Sequence, residues 1–330
     1  MEGMTGGHDQ FVLAAPRRAR RRARVAMVGA LTILLTAGGS FLLTRPRGPD
    51  VALALGFREG TTYRYRMSMS VDGTLEAPLV EMPMVGELSE TVAYHVVSVE
   101  PDGTATIDVS VEDVEGAFAG QPVPETTGLE VRMRVAPDGG LLEVDGTPVP
   151  AAMQQAWSDP TGSGGLPGMQ SFPLLPDRPV GPGDEWVKDI DQPLPFGRGS
   201  VRLHSENEFV RYEDVGEIRA AVIESDISSP IDWTIDLTEF ADFADRVGGE
   251  RVTAEEFEGL PTSISYEGEV EQEQTTWLDP NRGEVLRSEL IGEFDVTTRA
   301  EGGEGFGALL GAVATRFVGE MELTTERLSD

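Results

Sequence analysis

From Thr62 to Val71 the chain alternates without a break: Tyr63, Tyr65, Met67, Met69 and Val71 are apolar, and every even position is polar. Side chains of a β-strand point to opposite faces in turn, so this spacing predicts a strand with one face on a core and one in water. The pattern recurs at Ala105, Ile107, Val109 and Val111, at Val131, Met133 and Val135, and at Ile231, Trp233, Ile235 and Leu237. Further strand-like runs fall near 89–100, 201–212, 217–227, 262–278, 284–299 and 318–327. Pro101-Asp102-Gly103, Pro137-Asp138-Gly139-Gly140 and Asp279-Pro280-Asn281-Arg282-Gly283 separate them with hairpin turn chemistry. Clean alternation joined by short turns predicts antiparallel sheet.

Helical signals are few. Asp236–Val247 places Leu237, Phe240, Phe243 and Ala244 at helical spacing, and Phe306–Phe317 does the same with Phe306, Leu309, Leu310, Val313 and Phe317. Pro150–Trp157 has room for two turns of helix, and Gly162–Gly168 reads as a loop. Two stretches, about 53–147 and 175–328, share a rhythm. Each opens on a Gly followed by an aromatic strand (Gly60 to Tyr65, Gly183 to Trp186), and each holds a strand–turn–strand unit. An internal duplication and simple hairpins meeting the same turn rules both fit.

Val25–Thr44 is twenty residues without a charge, enough for a helix to cross a bilayer's hydrocarbon core. Six Arg lie in residues 17–24 and only Arg45 and Arg47 follow it closely, which orients the N-terminus to the cytoplasm. The reading is a basic cytoplasmic tail (1–24), a transmembrane signal anchor (25–44), a linker (45–52) and an exported acidic β-rich domain (53–330). Val25–Thr36 with the small residues Ala37–Ser40 also suits a cleaved signal, but apolar character resumes at Phe41-Leu42-Leu43, as an uncleaved span requires. The absence of any Cys excludes a lipid-modified cysteine, disulfides and thiol chemistry.

The chemistry available is thin. The net charge is −31, and since residues 1–47 hold eight Arg and two acids, the remainder carries −37. Such a field opposes nucleic-acid binding. Only His95 and His204 lie in the expected domain, with the single Lys188. No Gly-x-Ser-x-Gly elbow occurs and no Ser-x-x-Lys ends on Lys188, so neither His is expected to be catalytic. Asp279-Pro-Asn281-Arg-Gly283 has the opening of a calcium loop, but position twelve is Leu290 and the neighbouring Glu289 falls one early, so a hairpin turn is expected there. No catalytic residue, metal or cofactor is expected, and ligand-binding residues are not identifiable. The raw material for a binding surface is Trp157, Trp186, Trp233, Trp277, Met67, Met69 and Met133, which serve a core equally well.

Phe172-Pro173-Leu174-Leu175-Pro176-Asp177-Arg178-Pro179-Val180-Gly181-Pro182-Gly183-Asp184-Glu185-Trp186 resembles a stretch of uncharacterised exported bacterial proteins, a proline-rich crossing that leads into a Pro-Val-x-x-Gly-Asp-x-Trp strand. Through that motif and its strand rhythm the chain, over about 55–328, resembles the half-barrel lipoprotein carriers of the LolA, LolB and LppX type. The resemblance implies a mainly β fold in which a large curved antiparallel sheet, with a few short helices, encloses an apolar cavity for acyl chains. The chain departs from the lipoprotein members in lacking their lipidated Cys. The expected function is therefore a non-catalytic binding protein for a lipid or other hydrophobic ligand, tethered in the bacterial cell membrane with its C-terminal domain outside the cytoplasm. The alternative is a structural, protein-interaction or sensor ectodomain of the cell envelope with a protein partner. A surface hydrolase would need His95 or His204 beside a nucleophile in a cleft.

Overall fold

The alternating segments form strands throughout a computed structural model that describes residues 50–78, 80–118, 120–122, 130–137, 141–144, 147–148, 174–193, 197–239, 261–302 and 314–329. Gly48–Asp330 is one compact unit. Its described strands are β1 (Thr62–Ala77), β2 (Val80–Val99), β3 (Ala105–Phe118), β4 (Gln121–Pro122), β5 (Glu130–Val135), β6 (Leu141–Val144), β7 (Thr147–Pro148), β8 (Asp184–Pro193), β9 (Gly197–Val215), β10 (Ile218–Asp236), β11 (Ser263–Asp279), β12 (Glu284–Glu301) and β13 (Thr315–Arg327). All lie in one antiparallel sheet, ordered β7-β6-β5-β3-β2-β1-β13-β12-β11-β10-β9-β8, with β4 on β3. Each half of the chain is thus a meander, and the halves join where β1 pairs β13 from Tyr65↔Arg327 to Glu76↔Arg316.

Of two helical expectations, one meets strand where it is described and the other begins as a helical turn. Phe317 lies in β13, opposite Val296 and Leu75. There the two-residue spacing of Phe317, Met321 and Leu323, with Gly319 between, prevails over the helical one because all four face one side of the sheet. Residues 306–313 lie outside the described set. The run from 231 continues β10 to Asp236, where one helical turn, Leu237–Glu239, begins. The Asp236 carboxylate caps it, accepting the amides of Thr238 (2.9 Å) and Glu239 (3.0 Å). Residues 240–247, 150–157 and 162–168 also lie outside the described set. So does 25–44; among the described residues no helix is long and apolar enough to cross a membrane.

Residues 51–57 show how far the sheet bends. Leu55 N donates to Pro137 O (3.0 Å), in the turn after β5, and the next amide, Gly56 N, donates to Gly283 O (2.9 Å), in the turn before β12. Four residues earlier, Val51 and Val180 exchange both backbone hydrogen bonds (2.8 and 2.9 Å) just ahead of β8. Strands β5 and β12 are five strand steps apart, and β5 and β8 are nine. In a flat sheet those separations would be about 24 Å and about 43 Å. One short strap can bond all three places only if the strand ends are drawn together. Leu53 anchors the strap, buried against the same cluster as Leu175, Val180, Leu278 and Val285. We call this the strap end, and the opposite one the hairpin end, after the β1–β2 turn.

One face of the sheet, the inner face, carries the main core. Tyr63, Tyr65 and Met67 of β1, Val92 and Val96 of β2, Ile107 and Val109 of β3, and Met133 of β5 join Phe209, Ile223, Ile231, Trp233, Val270, Leu290, Phe294, Val296, Met321 and Leu323 from the second meander in one cluster. A smaller cluster of Ala220, Val222, Trp277 and Leu286 packs on the outer face near the strap end. The outer face is otherwise tied by cross-strand ion pairs. Arg316 bridges Asp295 (2.7 and 2.6 Å) and Glu76 (3.1 Å), and so clamps β13 to β12 and β1. Arg132 grips Asp108 bidentately at 2.6 and 2.8 Å.

Candidate functional site

Along β1, β2 and β13 the burial of the inner face grades from one end to the other, whereas Val296 of β12 and Ile231 of β10 stay buried toward the hairpin end. Near the strap, Val92, Val96, Phe209, Ile223 and Leu278 are wholly buried. Midway, Met69, Val71 and Met84 are half-buried while still packed on the core, as is Phe317, which opposes Leu75 nearer the tip. At the hairpin tip Met82 is 47% exposed and Val80 50%. Their registers keep them in line with the inner face, since Met84 opposes Gly73, Met82 opposes Leu75 and Val80 opposes Ala77. An apolar surface therefore runs from solvent into the core without changing face.

Glycine shapes this surface. Gly73 and Gly319 face each other across β1 and β13, and Gly319 also opposes Phe294 of β12. A Cβ on Gly319 would meet the Gly73 Cα at 2.5 Å and the Phe294 ring at 2.9 Å. The ring thus covers a spot where two strands carry no side chain. Glycine paired under an aromatic ring lets a sheet bend sharply without leaving a void.

Across β9–β12 the inner face changes character. Buried Asn207 accepts at its Oδ1 from Ser205 Oγ (3.0 Å) and Ser225 Oγ (2.7 Å), and its Nδ2 donates to Ser205 O (3.1 Å) and Trp186 O (3.4 Å). Gln274 Nε2 donates to Ser288 Oγ (3.1 Å), which also pairs with Thr276 Oγ1 at 3.3 Å. These groups are neutral, and each bond satisfies polarity that burial would otherwise make costly. Sequence reading missed them, because isolated Ser, Asn and Gln in strands look like the wet face. The inner side is thus mainly apolar along β1, β2, β3 and β5, with the buried Glu90 opposite Met67 as an exception, and amide- and hydroxyl-bearing in the middle of β9–β12.

On the outer side of β8–β11 lies a groove of about 420 Å³. Its floor carries two rows of carboxylates in register: Glu185 opposes Glu208, which opposes Glu224, and Glu206 opposes Asp226, which opposes Glu273. Like charges directly opposite one another weaken a sheet. Arg211 Nη1 approaches Glu224 at 3.8 Å, and His204 Nε2 approaches Glu206 at 3.6 Å. Strand spacing spreads the acids rather than gathering them; among the described residues no group of three or more His, Asp or Glu is arranged to hold a metal ion.

The candidates from the sequence are dispersed. His95 is exposed on β2, its Nδ1 3.0 Å from Thr62 Oγ1, and its register partner Asp108 is taken by Arg132. His204 is on β9 with Nδ1 2.6 Å from Asp189 Oδ1, and that hydrogen bond raises its pKa above the usual histidine range. The structure brings neither ring to the other or to the inner face. Asp279 is buried and accepts the amides of Asn281 (2.9 Å) and Arg282 (3.2 Å), the bonding of a hairpin turn, while Leu290 is in the core and Glu289 pairs with Arg287. Lys188 pairs with Asp177 at 2.6 Å.

Of the aromatic and Met candidates, Met67, Met69, Met133, Trp186 and Trp233 join the inner cluster. Trp186 Nε1 donates to Leu174 O (2.7 Å), and Trp233 packs on Tyr266 with ring centroids 4.4 Å apart. Trp277 instead faces outward, donating to Glu213 (3.2 Å) under the Arg287 guanidinium, and Trp157 lies outside the described residues. Arg211, then the Trp277 N–H, hold the Glu213 carboxyl below the usual range. No protein-family profile matches the chain, and no curated protein matches it in sequence.

Proposed function

We propose that the chain is a membrane-tethered, extracytoplasmic, non-catalytic binding protein whose inner sheet face takes a lipid or other hydrophobic ligand, in the manner of a half-barrel. The observation that carries this reading is the graded inner face of β1, β2 and β13: one apolar row, buried beneath the strap, half-buried further along and exposed at the hairpin tip. Single exposed apolar residues are ordinary on proteins, but a register-aligned row that continues into a core is what an apolar chain would follow inward. The bent sheet supplies a concave side, where ligands of curved β-proteins are held. Tethering rests on the charge-free Val25–Thr44 with its Arg block.

The test is mass spectrometry of organic extracts of the full chain, expressed with its own N-terminal segment and purified in a mild detergent, beside an unrelated single-pass protein handled identically. A lipid retained stoichiometrically by this chain alone is the expected result. Equal, substoichiometric lipid in both, with a melt unmoved by added lipids, would reject the reading in favour of an interaction ectodomain.

A further inference from the structure

Among the described residues the β3 ladder on β2 ends at Gly86↔Phe118, so Val80–Val85 projects past it as the outer part of the β1–β2 hairpin. Between Ala77 and Gly86 the only charged residue is Glu81, in a chain of net charge −31. Met82 and Val80 are exposed on the inner-face register; Leu75 and Phe317 extend the row from Met82 across β1 and β13, and Met84 and Val71 continue it inward, all four half-buried.

We infer that this hairpin is the portal by which an acyl chain of a zwitterionic or neutral lipid passes from a bilayer to the inner face; the inference rests on the lipid-binding reading above. Two features select a lipid surface over a protein strand. Pro83 removes a backbone donor from the projecting segment, and proline on an edge opposes addition of another strand. Unbranched Met82 and Met84 adapt to a disordered apolar partner more readily than rigid side chains do. The charge of the chain, including Glu76 and Glu87 beside the tip, repels anionic headgroups and leaves neutral ones favoured. Along the strands, β1 sets the portal about 50 Å from the strap end.

The full chain is reconstituted in palmitoyl-oleoyl-phosphatidylcholine vesicles with the photo-crosslinker p-benzoylphenylalanine at Met82, at Phe317 or, on the outer face, at Val187. Irradiation is expected to give a phosphatidylcholine adduct at 82 and 317 and none at 187. Val80→Asp with Met82→Asp, both at exposed positions, should lower the adduct at 317 at least tenfold with an unchanged thermal midpoint. Val80→Ser with Met82→Gln should lower it less. An adduct at 317 that ignores these substitutions overturns the portal while leaving lipid binding standing. No adduct at 82 or 317 overturns both. Labelling at 187 equal to that at 82, or crosslinking at 82 to a second copy of the chain, overturns the portal.

Discussion

Gly56 and Gly283 meet backbone to backbone: Gly56 N donates to Gly283 O at 2.9 Å, a Cβ on Gly56 would fall 1.9 Å from Arg282 O, and one on Gly283 would fall 2.2 Å from Gly56 N. Gly283 also has φ +68°, which L side chains rarely adopt. The strap end closes through this contact. Gly56→Ala should push the strap off the β11–β12 turn, expose Leu53 and cost about 1–3 kcal/mol. Denaturant unfolding checks this. Gly60→Ala is the comparison; with φ +77° but nothing within 4 Å of its Cβ, it should carry the backbone cost alone. A Gly56→Ala variant as stable as the parent would show that the close approach contributes nothing, since Gly56 carries no left-handed backbone cost of its own.

The chain has no cysteine, so a disulfide can be placed across the strap without competing thiols. Val51 and Val180 exchange both backbone hydrogen bonds, and such pairs have Cα atoms about 5.5 Å apart, inside the range a disulfide spans. Val51→Cys with Val180→Cys should oxidise in full and, by closing a loop of about 130 residues, stabilise by up to about 5 kcal/mol. A reductant should abolish the gain. Free thiols after mild oxidation would mean that the strap does not lie against Val180.

Asn207 holds two buried hydroxyls through one carbonyl oxygen. Asn207→Ala should leave Ser205 and Ser225 seeking partners and cost about 2–4 kcal/mol. Because the loss arises from orphaned hydroxyls, adding Ser205→Ala and Ser225→Ala should recover a large part of it. Additive losses in thermal or denaturant unfolding would show three independent sites.

His204 titrates above its ordinary value because Asp189 accepts its hydrogen bond and Glu206 adds to the effect. The pairing therefore favours the folded state below the unfolded-state pKa and loses its contribution as pH rises through the folded one. The ring is exposed, so the effect on stability is small. NMR titration should place the His204 midpoint above about 6.5. Asp189→Asn should lower that midpoint, and a midpoint indifferent to Asp189 would contradict the geometry.

The strands were legible where one face is apolar: Tyr63 to Val71 and Ile107 to Val111 show their inward set through plain alternation, and Asp279–Gly283 reveals its turn by composition. The strap was not legible, because a segment such as Val51–Phe57 takes its place by bonding to residues more than eighty positions away, which local periodicity does not register. Phe317 showed a helical spacing that tertiary pairing overrode. At the candidate site the alternation that puts Met67, Met69 and Trp233 on the apolar faces of their strands also turns Trp277 outward, since the even-numbered Val270 and Leu278 of β11 are in the inner cluster. Asn207 and Gln274 sent no signal, since a buried polar strand residue and a wet one are spelled alike.

The bent sheet underlies both the graded inner face and the portal. Spin labels on Pro137→Cys and Pro179→Cys report it directly, as the two turns flank β5 and β8. Through the strap's hydrogen bonds the backbone separation is bounded at about 30 Å. A flat sheet with these strands nine steps apart would give about 43 Å. A narrow distance distribution centred below about 30 Å is predicted by the bonded strap. One centred at or above about 40 Å would show a sheet that does not bend back on itself, and the account of its inner face would fall with it.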